Sequence, residues 1–164
     1  MNTPLNAKTY VQRIQNIAYL CLAPPLLLFI YFYLESSVDR LNEIISSNFH
    51  LALFIAVLIA CSVLILWSMK FFRYQMNNAQ TNNDLREKLT IYQKASNTRF
   101  YVYGLSALLT TFGFFLTNYQ PFAGLFGIMI VLFSINNPNA RKIVVDLKLK
   151  KSDKEIILKG LDIP

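Results

Sequence analysis

The sequence predicts an all-α integral membrane protein with four transmembrane helices, both termini in the cytoplasm, a cytoplasmic helical hairpin and an amphipathic C-terminal helix. Three observations lead to this prediction. Of the 164 residues, 54% are hydrophobic. The apolar residues form long uncharged blocks, and the basic residues lie on alternate sides of these blocks. A membrane span needs about 20 apolar residues, because the hydrocarbon core is about 30 Å thick and a helix rises about 1.5 Å per residue.

The uncharged blocks occupy residues 14–34, 44–69 and 100–140. The third block has about twice the length of one span. Asn118-Tyr119-Gln120-Pro121 lies near its middle, where proline ends a helix and the amide side chains favour water. We therefore predict four spans, at residues 14–34, 48–70, 100–117 and 121–136 of a membrane domain that covers 14–136. The membrane domain includes the hairpin (71–99), and an N-terminal tail (1–13) and a C-terminal tail (137–164) flank it.

The distribution of charge orients these spans. The net charge is +7, and 14 of the 16 Lys and Arg residues lie in the N-terminal tail, the hairpin or the C-terminal tail. Lys70 ends the second span on the side of the hairpin, and Arg40 is the exception. This positive-inside pattern predicts a cytoplasmic (inner) membrane protein with both termini and the hairpin in the cytoplasm. Because topology explains the basic excess, we predict no nucleic-acid partner.

The hairpin and the tail both carry helical patterns. Leu85, Leu89 and Tyr92 recur at helical spacing, so a returning helix is expected after a break at residues 77–78 or 81–83, with Asn83 as its cap. In the tail, Pro138 is expected at the first position of a new helix whose apolar stripe opposes basic residues. A capping box at residues 152–155 opens a last helix that Gly160 ends. The tail is expected either on lipid or on the hairpin.

Small residues at helical spacing predict close helix packing. One such face contains Ala52, Ala56 and Ala60; a second, on the third span, contains Gly104, Ala107 and Thr111. We expect a membrane-protein partner or self-association through these two faces. Gly124 and Gly127 in the fourth span are expected to let it cross the third closely.

Two stretches of the sequence resemble small four-span bacterial membrane proteins of unknown function. They are Leu85-Arg86-Glu87-Lys88-Leu89 with Tyr92 and Arg99, and Asn137-Pro138 with Lys142-Ile143, Asp146-Leu147 and Leu149. The resemblance implies no known activity. The polar loop between spans is also similar to that of the rotor proteolipids of ATP synthases, but the ion-binding carboxylate of that family is missing here.

The sequence lacks the residues that several kinds of active site require. No Asp or Glu lies in the uncharged blocks, the two cysteines (Cys21 and Cys61) lie in separate spans, and His50 is the one histidine. We therefore predict no enzyme, no cofactor and no metal site. Lipid headgroups or a partner are expected to contact a set of basic residues: Lys70, Arg73, Arg99, Arg141, Lys142 and Lys148.

The predicted function is that of a non-catalytic accessory, assembly or scaffold subunit of a membrane complex. Pro24-Pro25, at the midpoint of the first span, predicts a kink and supports the alternative, a small homo-oligomeric channel or transporter for an uncharged solute. A third hypothesis is a lipid-binding role for the basic residues of the tail.

Overall fold

In the computed structural model the protein is built almost entirely of helices, and residues 5–38, 44–82 and 84–163 are described. A 3₁₀ turn, Ser47–Phe49, leads into the second helix, and strands β1 and β2 comprise Leu5–Asn6 and Asp162–Ile163. The α-helices in chain order are α1 (Ala7–Ser37), α2 (His50–Thr81), α3 (Leu85–Thr117), α4 (Pro121–Asn136), α5 (Ala140–Asp146) and α6 (Lys151–Lys159).

Three helices, α1, α2 and α3, are long and apolar enough to cross a membrane. A fourth span results if α4 and α5, which meet at an angle of 80°, count as one broken span. Helix α4 has the bounds predicted for the fourth span, because Pro121 occupies its first turn and Asn118, in the left-handed conformation (φ 51°), ends α3.

Helices α2 and α3 extend beyond the thickness of a membrane. The 33 residues of α3 correspond to about 50 Å, against a hydrocarbon core of about 30 Å. The predicted hairpin is therefore formed by uninterrupted extensions of two spans. The chain turns after Thr81, at the second of the two predicted breaks. Asp84 caps α3 by accepting a hydrogen bond from the Arg86 N–H at 3.0 Å, whereas the expected cap, Asn83, lies outside the described residues.

Helix α3 is the centre of the bundle and packs against α1, α2 and α4. Its buried faces are rich in small and hydroxyl-bearing residues, which allow neighbouring helices to approach closely. By contrast, α1, α2 and α4 expose many large apolar side chains, among them Leu27, Ile59 and Val131. Exposed apolar surface of this extent is expected where lipid replaces water.

The buried side chains form two clusters. One lies among the four long helices and is dominated by aromatic residues: Phe29 stacks on Phe126 with ring centres 4.2 Å apart. The other joins the first turns of α1, the α2–α3 extensions, α5, α6 and β2. We call this second assembly the basal unit; its buried residues include Tyr10, Met76, Leu89, Tyr92, Ile143, Leu147, Ile157 and Ile163.

The C-terminal tail docks on protein, which decides between the two predicted environments. Ile143 and Leu147 are buried in the basal unit, and the Gln80 side chain donates a hydrogen bond to the main-chain oxygen of Asp146 (3.0 Å). Two predicted helix starts are wrong. Helix α5 begins at Ala140, because the Asn139 side chain accepts from the Lys142 N–H, and α6 begins at Lys151 without a side-chain cap. Gly160 ends α6 in the left-handed conformation, as predicted.

No pattern in the sequence predicts the two short strands. Leu5 pairs with Ile163 and Asn6 with Asp162 in an antiparallel ladder, and the Ala7 N–H donates to the Leu161 oxygen (3.1 Å). Residues near the two ends of the chain therefore lie side by side in the basal unit.

Candidate functional site

The six basic residues predicted to contact headgroups or a partner do not share one environment. Lys70, Arg73, Arg141 and Lys148 are exposed, and Lys142 is half-buried. Arg99 is only 5% exposed, so its side chain is enclosed by the protein rather than open to a headgroup or a partner. The reason is its position on the central helix, α3, most of whose circumference is covered by other helices.

Arg99 belongs to a polar stripe on α3. Tyr92, Ser96, Arg99 and Tyr103 are spaced by four, three and four residues, so a helix of 3.6 residues per turn places them on one face. All four are buried. The stripe runs for about 16 Å, since eleven residues at about 1.5 Å separate its ends, and it lies where the basal unit meets the long helices.

The Arg99 guanidinium is enclosed largely by aromatic rings. Its central carbon lies 4.0 Å from the centre of the Phe72 ring and 5.8 Å from that of Phe100. A cation over an aromatic face is stabilised by about 0.5–2 kcal/mol. Within the part of the chain that the structure describes, its Nε and Nη2 atoms have no hydrogen-bond partner. The site thus contains buried guanidinium donors without acceptors.

Helix α5 supplies the nearby carboxylate. The Tyr92 hydroxyl donates to Asp146 Oδ2 over 3.4 Å, a long hydrogen bond. Burial raises the pKa of the Asp146 carboxyl, while Lys142 and Arg99 act to lower it. Burial also lowers the pKa of Lys142, an effect that Arg99 increases and Asp146 opposes. Two cationic side chains and one carboxylate therefore influence one another at the junction of the tail and α3.

This arrangement fixes the position of the tail. Asp146 is tied to α2 through its main chain and to α3 through its carboxylate, and the Lys142 ammonium donates to the Ile135 oxygen across the α4–α5 bend (2.7 Å). Within the described ranges, no group of three or more His, Cys, Asp or Glu residues is arranged to hold a metal ion. The chemistry available to the site is that of a buried, net cationic anchor.

The two predicted small-residue faces differ in burial. Ala52, Ala56 and Ala60 are exposed, so this face remains free for another helix. The face with Gly104, Ala107 and Thr111 is buried within the chain. A Cβ added to Gly104 would lie 3.0 Å from the Cys21 oxygen of α1. This face serves the α1–α3 contact rather than a partner.

The glycines of α4, the predicted fourth span, do not form the expected close crossing. A Cβ added to Gly124 or Gly127 would meet nothing within 4 Å. Gly113 of α3 makes the close approach instead, because Phe122 of α4 lies over it, and a Cβ added to Gly113 would collide with ring atom Cε1 of Phe122. The large ring of Phe122, rather than a second glycine, fills the space.

Helix α1 continues through Pro24-Pro25. Pro25 cannot donate to the oxygen of Cys21 four residues earlier, and this oxygen faces Gly104. The Thr111 hydroxyl donates to the Ala107 oxygen of its own helix (2.9 Å) and lies 3.4 Å from the Pro25 oxygen. The contacts around the proline pair are therefore packing contacts with α3.

Sequence reasoning missed Asp146 as a member of the site. One signal was available, because Asp146 is the only acidic residue between Glu87 and Asp153. It is also flanked by residues of the apolar face of α5. Asp146 and the stripe on α3 are more than forty residues apart in the sequence. A periodic pattern relates residues that are a few positions apart, so it does not reveal this contact.

Comparisons with protein-family models, with curated proteins and with solved structures find no match for this chain.

Proposed function

We propose that this protein is a non-catalytic subunit of a cytoplasmic-membrane complex, in which its basal unit serves as an accessory, assembly or scaffold surface for a partner. In this proposal the chain crosses the membrane four times, with both termini and the basal unit in the cytoplasm.

The paired chain ends support this topology. Strands β1 and β2 hold residues 5–6 beside residues 162–163, and ends that lie on the same side require an even number of crossings. Counting α4 as a span gives four. The basic residues near the chain ends and the α2–α3 turn favour the cytoplasmic side for this end of the bundle, since positive loops remain inside.

The basal unit is the observation on which the functional proposal rests. It is a folded body with its own buried cluster, built from parts of the chain that are far apart in sequence, and rigid helices connect it directly to the spans. Sites built on helices hold their geometry more precisely than sites on loops. A body of this kind is suited to holding a partner at a fixed position relative to the membrane.

The tip of the hairpin offers the surface for such a partner. A surface cleft of about 450 Å³ lies there, with Asp84, Arg86, Glu87, Thr90 and Ile91 among its lining residues. Both signs of charge occur within one helical turn, next to an apolar side chain. Mixed charge around an apolar contact provides orientation and specificity in transient interfaces.

The experiment is native gel electrophoresis of gently solubilised membranes, with mass spectrometry of the band that contains this chain. We expect other membrane proteins in a fixed ratio. Exchanging the tip charges, Arg86→Glu with Glu87→Lys, should remove these partners without a change in net charge. The matched control exchanges an adjacent pair on α6, Lys154→Glu with Glu155→Lys, and should leave the band unchanged.

A band that holds only this chain, at a multiple of 18.9 kDa, would contradict the proposal and favour a homo-oligomeric channel or transporter. Equal loss of partners in the tip variant and the α6 control would exclude the cleft as the docking surface.

A further inference from the structure

A groove follows α1 across the expected membrane surface. Its outer part, at the N-terminal end of α1, lies between α1, α5 and α6 and has a volume of about 360 Å³. The residues that line it include Lys8, Gln12, Leu158 and Lys159. A second part, of about 550 Å³, is lined by Gln12, Arg13, Asn16, Ile17 and Leu20. The two parts share Gln12, so we treat them as one feature, the α1 groove.

The α1 groove changes polarity along its length. Lys8 and Lys159 lie at the outer end and Arg13 in the middle, whereas Ile17 and Leu20 form the inner end. Leu20 is 71% exposed, so its side chain has little contact with the rest of the protein. One end of the groove is therefore cationic and the other apolar.

The position of this polarity change matches the membrane surface. The uncharged block begins at Ile14; Lys8 lies six residues before it and Leu20 six residues after it, each about 9 Å along the helix. Headgroups occupy roughly the outer 5–8 Å on each side of the hydrocarbon core. The cationic end thus lies at headgroup depth, and the apolar end lies among acyl chains.

We propose that the α1 groove binds one anionic phospholipid, with its phosphate-containing headgroup at Gln12 and Arg13, one acyl chain along Ile17 and Leu20, and Lys8 flanking the headgroup from the adjoining part of the groove. Lys159 contributes less, because it forms an ion pair with Glu155 at 3.0 Å. Each basic residue near an anionic lipid surface strengthens binding several-fold. The groove and its occupant are independent of the partner surface at the hairpin tip.

Native mass spectrometry of the full-length protein tests this proposal, with phosphatidylglycerol and phosphatidylcholine of identical acyl chains as probes. We expect one phosphatidylglycerol to bind at least about tenfold more tightly than phosphatidylcholine. Lys8→Gln with Arg13→Gln should remove most of this preference. Both side chains are exposed, so the variant should keep the unfolding temperature of the wild type.

The matched control is Arg86→Gln with Lys94→Gln, which removes one arginine and one lysine from the α2–α3 hairpin, outside the lining of the α1 groove. It should reduce phosphatidylglycerol binding less than about twofold, which is a small change on the scale of one basic residue. Equal loss in the two double variants, or equal binding of the two lipids by the wild type, would overturn the proposal.

A second pair of measurements tests the apolar end. Leu20→Ser should weaken binding of both lipids, and water-soluble glycerol 3-phosphate should fail to displace phosphatidylglycerol. Displacement by glycerol 3-phosphate at an equal concentration would show that the groove binds a free phosphate, and would also overturn the proposal.

Discussion

The main-chain oxygen of Cys21 lies 3.0 Å from the position that a Cβ on Gly104 would occupy. Pro25 leaves this oxygen without its donor in α1, and the missing side chain at position 104 lets α3 approach it. Small residues allow such backbone contacts between membrane helices. The contact between the Cys21 oxygen and Gly104 therefore sets the distance between α1 and α3, the central helix of the bundle.

Gly104→Ala should destabilise the protein by about 1–3 kcal/mol, because the added methyl group meets main-chain atoms that have no rotamer to change. Unfolding in detergent, followed by circular dichroism, measures the loss. Gly127→Ala is the matched control. A Cβ at Gly127 meets nothing within 4 Å, so that variant should be as stable as the wild type or more stable. Equal stability of the two variants would contradict the role of the contact.

Gly113→Ala should also destabilise the protein, but a second substitution should partly restore it. The added Cβ collides with the Phe122 ring, and Phe122→Leu removes that ring. We expect the double variant to lose less stability than the sum of the two single variants, by about 0.5–3 kcal/mol. A double-mutant cycle in the same unfolding assay gives this coupling; additive losses would show that the two residues do not share the space.

Tyr10→Phe should lower the free energy of unfolding by about 1 kcal/mol. The buried Tyr10 hydroxyl donates to the Leu89 oxygen at 2.6 Å and so joins α1 to α3 within the basal unit. Tyr74→Phe serves as the control, because Tyr74 is 64% exposed. If both variants unfold at the same temperature, the hydrogen bond adds nothing to stability.

Arg99→Met should be at least as stable as the wild type. Methionine keeps the length and the apolar contacts of the side chain, and it removes a buried charge whose Nε and Nη2 atoms lack partners among the described residues. Burying a charge without hydrogen-bond partners costs free energy, and methionine does not incur this cost. Arg73→Met, at an exposed position, should change stability little. A loss of several kcal/mol in Arg99→Met alone would show that the guanidinium stabilises the fold.

The stability of the protein should fall as pH rises through the pKa of Asp146. Burial raises this pKa, so the folded protein holds the proton more tightly than the unfolded chain does. The stabilising contribution is complete below the ordinary carboxyl pKa of about 4 and is lost above the raised value. Unfolding temperatures measured across this range should show the fall in the wild type and a smaller fall in Asp146→Asn.

Two further variants test whether Asp146 causes this pH dependence. Glu155→Gln changes an exposed carboxylate and should leave the pH dependence nearly unchanged. Arg99→Met removes a cation that lowers the Asp146 pKa, so the fall should move to higher pH. An unchanged curve for Asp146→Asn would mean that Asp146 does not carry this effect.

The sequence by itself determined the positions of the long helices and the break between α3 and α4. Hydropathy, charge and proline placement act over a few neighbouring residues, so the bounds of α4 and the end of α6 at Gly160 could be predicted without a tertiary structure. The helical extensions of α2 and α3 could be predicted for the same reason, although the cap at Asp84 differs by one residue from the expected position.

Only the tertiary structure decided which faces these helices bury. A basic residue at the start of an apolar block ordinarily reaches the surface, but Arg99 lies on the helix that three others surround. Gly124 and Gly127 have the spacing of a packing face, yet both are exposed, because α4 contacts α3 through Phe122 and Gly113 instead. Burial of a side chain depends on contacts between residues far apart in sequence, as do the β1–β2 pair and the meeting of Asp146 with α3. Local patterns specify helices, whereas the partner of each helix face is fixed only when all of them pack together.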